Sequence, residues 1–327
     1  MQTLGFRRLG VFMTMTGLCA CLVGSAHADT REVVVYPGFG ASGFVLEGRV
    51  IEARGGGREA AEDSWFVNLK RTLRRLINDE QKNVALRVRL GTGEWRAVTD
   101  TEGYFRLETS LPSGSPTGWQ AVEVTTESGD AKGTGKLLAV PAENRLGIIS
   151  DIDDTILVSE VADKPRLVRE TLFVNYAQRQ AVAGTAEFYT RLAQRNPRPE
   201  EAPIFYLSAS PRQLHSGIQT FLDKNAFPRG VLITKKVTDD KTSDPLTDQV
   251  KYKVERIEQL LTALPQVRFV LVGDDGERDP ETYDKIRRRH PDRIEAVLIR
   301  KVDRDATRPI YPEQRDLATV LTAEGKP

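Results

Sequence analysis

Cysteine is nearly absent from this chain of 327 residues: there are two, Cys19 and Cys21, and both fall inside the first apolar stretch. If that stretch is removed, no disulfide can staple the remainder. Histidine is almost as scarce, with His27, His215 and His290 only, which together with the lack of thiols leaves no Cys/His set for zinc. Neither sign of charge is in excess, 47 basic residues facing 46 acidic ones, so bulk electrostatics gives no argument for nucleic acid. The G-x-S-x-G elbow of serine hydrolases is missing as well. After Leu9 to Gly24 the chain has no apolar run that reads as a membrane span.

That first run follows Arg7 and Arg8 and ends on Ala26-His27-Ala28, a small-x-small cleavage pattern before Asp29. It reads as a secretory signal peptide over residues 1–28, and the expected location is secreted or periplasmic. Cleavage removes two of the 47 basic residues and no acidic ones, leaving 45 against 46. A lesser alternative makes Cys21 a lipidation site, with Leu18-Cys19-Ala20 before it.

Residues 29–145 are predicted to form a small β-rich domain, sandwich-like and antiparallel. Short β-branched and aromatic runs at Val33 to Tyr36, Gly43 to Ala53, Val84 to Leu90, Trp95 to Thr99, Tyr104 to Glu108 and Ala121 to Thr125 are separated by glycine-rich turns. Between them, Asp63 to Asn78 has a helical apolar face, with Lys70, Arg71, Arg74 and Arg75 on the opposite, solvated side. Gly129 to Lys136, GDAKGTGK, fails as a phosphate-binding loop because Asp130 and Leu137 stand where Gly and Ser/Thr are required; it reads as a flexible turn.

From residue 146 to 303 strands alternate with helices, the grammar of a doubly wound, mostly parallel α/β domain, and residues 304–327 follow as a tail. Ligands in such sheets bind beyond the carboxyl ends of the strands, so what each strand ends in matters. Gly147 to Thr155, GIISDIDDT, is an apolar run that stops on three aspartates. Asp151 and Asp153 side by side repel each other, and a hard divalent cation with oxygen ligands relieves this. A calcium loop does not fit, since Ile156 follows Thr155 where glycine is needed. Ile204 to Leu207 ends in Ser208-Ala209-Ser210, and Phe269 to Val272 ends in Gly273-Asp274, with Asp279 five residues on. Hydroxyls and backbone N–H groups make an anion site; Asp274 arrives where a metal would need a further ligand. Lys253 opens the helix before that last strand, and Lys251, Lys235 and Lys236 compete with it.

Asp151, Asp153 and Thr155, then Ser208, Lys253, and finally Gly273, Asp274 and Asp279, follow the motif order of the haloacid-dehalogenase superfamily. More narrowly, SDIDDTI, FYLSASPRQL, FLDKNAFPRG, YKVERIEQLL, FVLVGDDGERDPETY and VLIRKV resemble the catalytic domain of the actin patch protein type of phosphatidate phosphatase over about Leu146 to Val302. VYPGFG and the β-rich region resemble the amino-terminal part of bacterial members. The chain departs from the pattern at Arg212, where an aromatic residue is expected, and at Asp275, where serine is common; both bear on specificity.

The resemblance implies phosphomonoester hydrolysis in two steps. Asp151 attacks phosphorus to form an aspartyl-phosphate, and Asp153 protonates the leaving alkoxide and then activates water. Mg2+ is expected on Asp151, the backbone carbonyl of Asp153 and Asp274, with Asp279 buttressing from behind. Thr155, Ser208, Ala209 and Lys253 are expected on the phosphoryl oxygens. The second carboxylate, Asp153, favours phosphatase over dehalogenase chemistry. The substrate implied is phosphatidate, a phospholipid met at a membrane surface. The alternatives are a phosphatase for soluble or protein phosphoesters and, outside enzymes, an extracytoplasmic binding module on an inactive scaffold.

Overall fold

The computed structural model describes residues 31–52, 81–158, 176, 179–237, 244, 248–302, 309 and 311–324. The signal peptide, both cysteines and the helix expected at Asp63 to Asn78 lie outside these residues.

The amino-terminal part is a mixed sheet of eight strands: β1 (Arg31–Val35), β2 (Gly38–Gly40), β3 (Gly43–Glu52), β4 (Ala85–Leu90), β5 (Gly93–Val98), β6 (Tyr104–Ser110), β7 (Gly118–Thr126) and β8 (Lys132–Ala139). Its order is β1-β3-β2-β8-β7-β4-β5, with β6 on the other edge of β3. The sheet curls until β5 and β6 touch, closing on Phe44, Leu46, Leu86, Val88, Val122, Val124 and Leu137. Along β4 the apolar residues alternate inward, the period-two pattern of a half-buried strand. Two strands depart from the sequence reading. Gly133 and Gly135 made Gly129 to Lys136 look like a turn, yet the turn ends before Lys132 and β8 runs on. Side chains at those glycines have no room, since a Cβ on Gly133 would lie 2.1 Å from the Val33 carbonyl oxygen and one on Gly135 2.4 Å from Val35. Strand β2 pairs parallel to β8, so the domain is not wholly antiparallel.

The second part is a six-stranded, all-parallel sheet in the order β11-β10-β9-β12-β13-β14. Its strands are β9 (Leu146–Ser150), β10 (Ile204–Pro211), β11 (Val231–Lys235), β12 (Arg268–Asp274), β13 (Ile294–Arg300) and β14 (Gln314–Asp316). Helices α1 (Thr185–Ala193), α2 (His215–Lys224) and α5 (Leu317–Glu324) cover one face; α3 (Gln249–Ala263) and α4 (Asp279–Arg289) cover the other. Consecutive residues of the apolar runs in the central strands serve opposite layers. Ile148, Tyr206 and Val270 pack with Phe188 and Phe221, while Ile149, Phe205 and Leu271 pack with Ile257 and Ile286. Residues 314–324, a tail by sequence, add β14 to the sheet edge and bury Leu317 and Val320 in the first of these layers.

The two parts share one core. Phe39 of β2, with Leu138 and Val140, joins the layer under α3, where its ring meets Phe205 edge-on at 5.2 Å.

Candidate active site

Strands β9, β10 and β12 are neighbours in register, with Ile149 opposite both Phe205 and Leu271. Their carboxyl ends therefore open on one spot. The Asp151 amide still bonds the Val272 carbonyl at 2.8 Å, then the chain turns: the Ile152 carbonyl accepts from the amides of Thr155, Ile156 and Leu157. Asp154 takes a left-handed φ of 58° in that turn, and its carbonyl accepts from the Arg300 guanidinium. The segment after Asp151 is thus a tight turn. Ile152 anchors it in the core.

Lys253, 2% exposed, reaches from the first turns of α3 into the centre. Its Nζ lies 2.8 Å from Asp151 Oδ1 and 2.5 Å from Asp279 Oδ1. The competing lysines are elsewhere: Lys251 is exposed beside Glu255, Lys235 lies over the Tyr252 ring and Lys236 bonds Asp100. Thr155, fully buried, donates within reach of Asp151 Oδ2 at 3.2 Å and Asp274 Oδ2 at 3.0 Å. Gly273 is required where it stands, since a Cβ there would meet Asp279 Oδ2 at 2.4 Å.

Asp151, Asp274 and Asp279 are all buried and offer carboxylate oxygens within 4.8 Å of one another. Asp279 is therefore inside the carboxylate group as well as bonded to Lys253, closer to the centre than a purely buttressing position. One ammonium answers three carboxylates, so the group carries uncompensated negative charge in a dry place. Burial raises all three carboxyl pKa values against the pull of Lys253, that of Asp274 to about 8, with Asp279 adding repulsion at Asp151 and Asp274 and Glu277 adding it at Asp279. Burial alone would pull Lys253 down, but Asp151 and Asp279 hold it well above its ordinary value. An all-oxygen set with surplus negative charge fits a hard divalent cation such as Mg2+.

The Asp153 side chain turns away from this group toward the end of β10. Its Oδ2 accepts from Ser208 Oγ and Ser210 Oγ, each at 3.2 Å, and the Ser210 amide donates to Ser208 Oγ at 3.0 Å. Ala209 lies between the two serines, partly buried. Burial, then Glu277, pushes the Asp153 carboxyl up to about 6, against the two serine bonds. Ser210 was not singled out from sequence, although the second hydroxyl of Ser-Ala-Ser was its signal. Glu277 was passed over too; it lies 4.0 Å from Lys253 Nζ and accepts from Gln249.

The structure thus brings Asp151, Asp153, Thr155, Ser208, Lys253, Asp274 and Asp279 to one place, divided between a carboxylate-lysine half and an Asp153-serine half. Among the described residues, no helix is long and apolar enough to cross a membrane.

Comparison with known proteins matches residues 146–301 to the family described as phosphatidate phosphatase APP1, catalytic domain. Phosphatidate phosphatase APP1 of Saccharomyces cerevisiae is 31% identical over 155 residues, 47% of this chain and 26% of that protein. An uncharacterized protein of Schizosaccharomyces pombe is 27% identical over 234 residues, 70% of this chain and 36% of that protein. The chain thus spans about a quarter to about a third of the length of these relatives. Among solved structures, a Pnkp1/Rnl/Hen1 complex aligns with 52% of this chain and 46% of its own at 16% identity and a TM-score of 0.30, a likeness that carries no argument.

Proposed function

We propose, from the match of residues 146–301 to the phosphatidate phosphatase APP1 catalytic domain family, that this protein is a Mg2+-dependent phosphomonoester hydrolase. Its proposed substrate is phosphatidate, and its intermediate an aspartyl-phosphate. The observation that carries the reading is the meeting of Asp151, Asp274 and the helical Lys253 with the Asp153-Ser208-Ser210 set at the ends of three adjacent strands.

In this reading an oxygen of Asp151 attacks phosphorus and forms a new P–O bond. The ester P–O bond breaks as Asp153, protonated, passes its proton to the departing alkoxide. Asp153 then takes a proton from water, whose oxygen attacks the phosphoryl group and returns Asp151 to a free carboxylate. Ser208, Ser210, the amides around Ala209, Thr155 and Lys253 bind the phosphoryl oxygens as charge spreads over them. Asp151, Asp274 and the Asp153 carbonyl would hold the cation, with Asp279 beside them. When bound, that ion offsets repulsion between an anionic nucleophile and an anionic ester. Export, proposed from residues 1–28, would put the reaction outside the cytoplasm.

The test is phosphate release, with and without Mg2+, from phosphatidate vesicles, soluble sugar phosphates and a phosphopeptide. Faster Mg2+-dependent release from vesicles is expected. Equal or faster turnover of the soluble esters would overturn the lipid assignment, and no release from any of them would overturn the hydrolase reading.

A further inference from the structure

The end of β10 has little backbone support. Its pairing with β9 stops at Tyr206, and its pairing with β11 is interrupted between Leu207 and Pro211, so Ser208, Ala209 and Ser210 lie in an irregular stretch. Within it the Ser210 amide bonds Ser208 Oγ in place of a strand carbonyl. Side chains hold this stretch instead. From below, the Tyr252 hydroxyl donates to the Ser208 carbonyl at 3.3 Å.

At its far end stands Arg212, two residues beyond Ser210 and 5% exposed. Arginine is seldom buried unless it is paired, and here most of the pairing comes from the other domain. Its guanidinium bonds Glu47 of β3 and lies 5.4 Å from the ring centres of both Tyr36 and Tyr104. From its own domain it has the Thr234 carbonyl at 3.4 Å. Glu47 is itself fixed, because its other oxygen accepts from Arg106 at 2.8 Å. The Tyr36 ring also packs against His215, the first residue of α2, at 4.9 Å.

We propose that the amino-terminal β domain is part of the phosphate-binding apparatus: Glu47, framed by Tyr36 and Tyr104, holds Arg212, and Arg212 fixes the stretch that aims Ser208 and Ser210. This rests on the phosphatase reading of the site. Arg212 and Glu47 are positioning residues, since neither touches the reacting atoms. The two serines and the Asp153 bond they share move as one if Arg212 lets go. A second pair, Lys236 and Asp100, crosses the same seam at 2.6 Å but starts beyond β11 instead of on the serine stretch. It supplies the control.

The experiment compares Glu47→Gln, Arg212→Lys and Arg212→Gln with Asp100→Asn, using phosphatidate in detergent micelles with Mg2+, orthovanadate binding by calorimetry and thermal midpoints. Displacing the serines by about 1 Å is expected to lower kcat by about tenfold to a hundredfold, with KM changing much less. Vanadate Kd should rise in step, because the mimic uses the same oxygen donors. Asp100→Asn should lower the midpoint and leave kcat per folded molecule unchanged. The Glu47→Gln, Arg212→Gln double variant should be no worse than the worse single change, as for groups acting as a unit. If the Arg212 variants do not fold, Glu47→Asp, which keeps the charge and shortens the reach, gives the same reading. Folded Glu47 variants with kcat and vanadate Kd within about twofold of wild type, well short of the displacement cost, would overturn the proposal. A wild type without turnover would sink the hydrolase reading alone; an unchanged vanadate Kd in Glu47→Gln would still decide this one.

Discussion

Two buried cations, Lys253 and Arg212, organise the carboxyl end of the same sheet, and they are surrounded differently. Lys253 has Asp151 and Asp279 on its ammonium and Asp274 beside them, so negative charge outnumbers it. Arg212 has one carboxylate, Glu47, which is shared with Arg106, and two aromatic faces. Arg106 pairs with Glu108 as well, so around Arg212 two guanidiniums face two carboxylates. Burial works against Glu47, yet Arg212 and Arg106 hold its carboxyl below the ordinary value, whereas the carboxyls around Lys253 are pushed up. A satisfied cluster holds parts together; one left with surplus charge is ready to take another cation or a reacting group.

The largest effect is expected where the surplus does chemistry. Asp151→Asn keeps the shape and removes the oxygen proposed to attack phosphorus, so phosphate release should fall by roughly 10⁵-fold or more, as when a nucleophile is deleted. The variant should stay folded, because it removes one of three repelling buried charges. A residual rate within about a hundredfold of wild type would mean that Asp151 is not the nucleophile and that the two clusters differ less than claimed.

Lys253→Met separates the cation's two roles. It should slow turnover by about 10²- to 10³-fold, the usual cost of losing a donor to the developing charge. Mg2+ should nevertheless bind at least as tightly, because a competing ammonium has left the carboxylates. Calorimetric titration beside the rate assay checks both, and weaker Mg2+ binding would show that Lys253 organises the carboxylates instead of competing for them.

Mg2+ itself should raise the unfolding free energy by about 2.7 kcal/mol at a hundredfold excess over its Kd, an increase of several degrees in thermal midpoint. Asp274→Asn should abolish that increase while Glu47→Gln retains it. If both variants keep it, the ion binds elsewhere.

The two clusters were unequally legible. Asp151, Asp153, Ser208 and Asp274 each follow a short apolar strand, and parallel neighbours in register bring such ends together, so their meeting could be read from strand order. Lys253 was legible by its place at the start of the helix before β12, although three other lysines competed with it. The Arg212 cluster was not, because Tyr36, Glu47 and Tyr104 lie far from Arg212 in sequence and in another domain; pairing of that kind leaves no periodic trace. The same holds for β8, whose glycines signal close backbone contact as readily as they signal a turn, and for β14, three residues of polar character on a sheet edge. Ser210 was hidden for a local reason: its role depends on an irregular strand end that puts residues 208 and 210 on one carboxylate.

A pH effect on stability tests whether the seam around Arg212 is dry. His215 lies against Tyr36 and leaves Nε2 buried without a hydrogen-bond partner among the described residues. Burial, assisted by the nearby Arg212 charge, pushes its imidazole down to about 4. An unfolded chain takes up this proton near pH 6.5, whereas the folded one refuses it until about pH 4. Stability is therefore lost as pH falls through that window, by at most roughly 3 kcal/mol, and nothing further is lost from this group below it. His215→Asn stays polar and cannot titrate. Urea midpoints for wild type and variant at pH 7, 6, 5 and 4 should converge on the acid side if the variant is the less stable at pH 7, with the difference between the two curves isolating His215 from the carboxylates. Parallel curves would mean that water reaches Nε2, and that the seam is wetter than the Lys253 cluster it is being compared with.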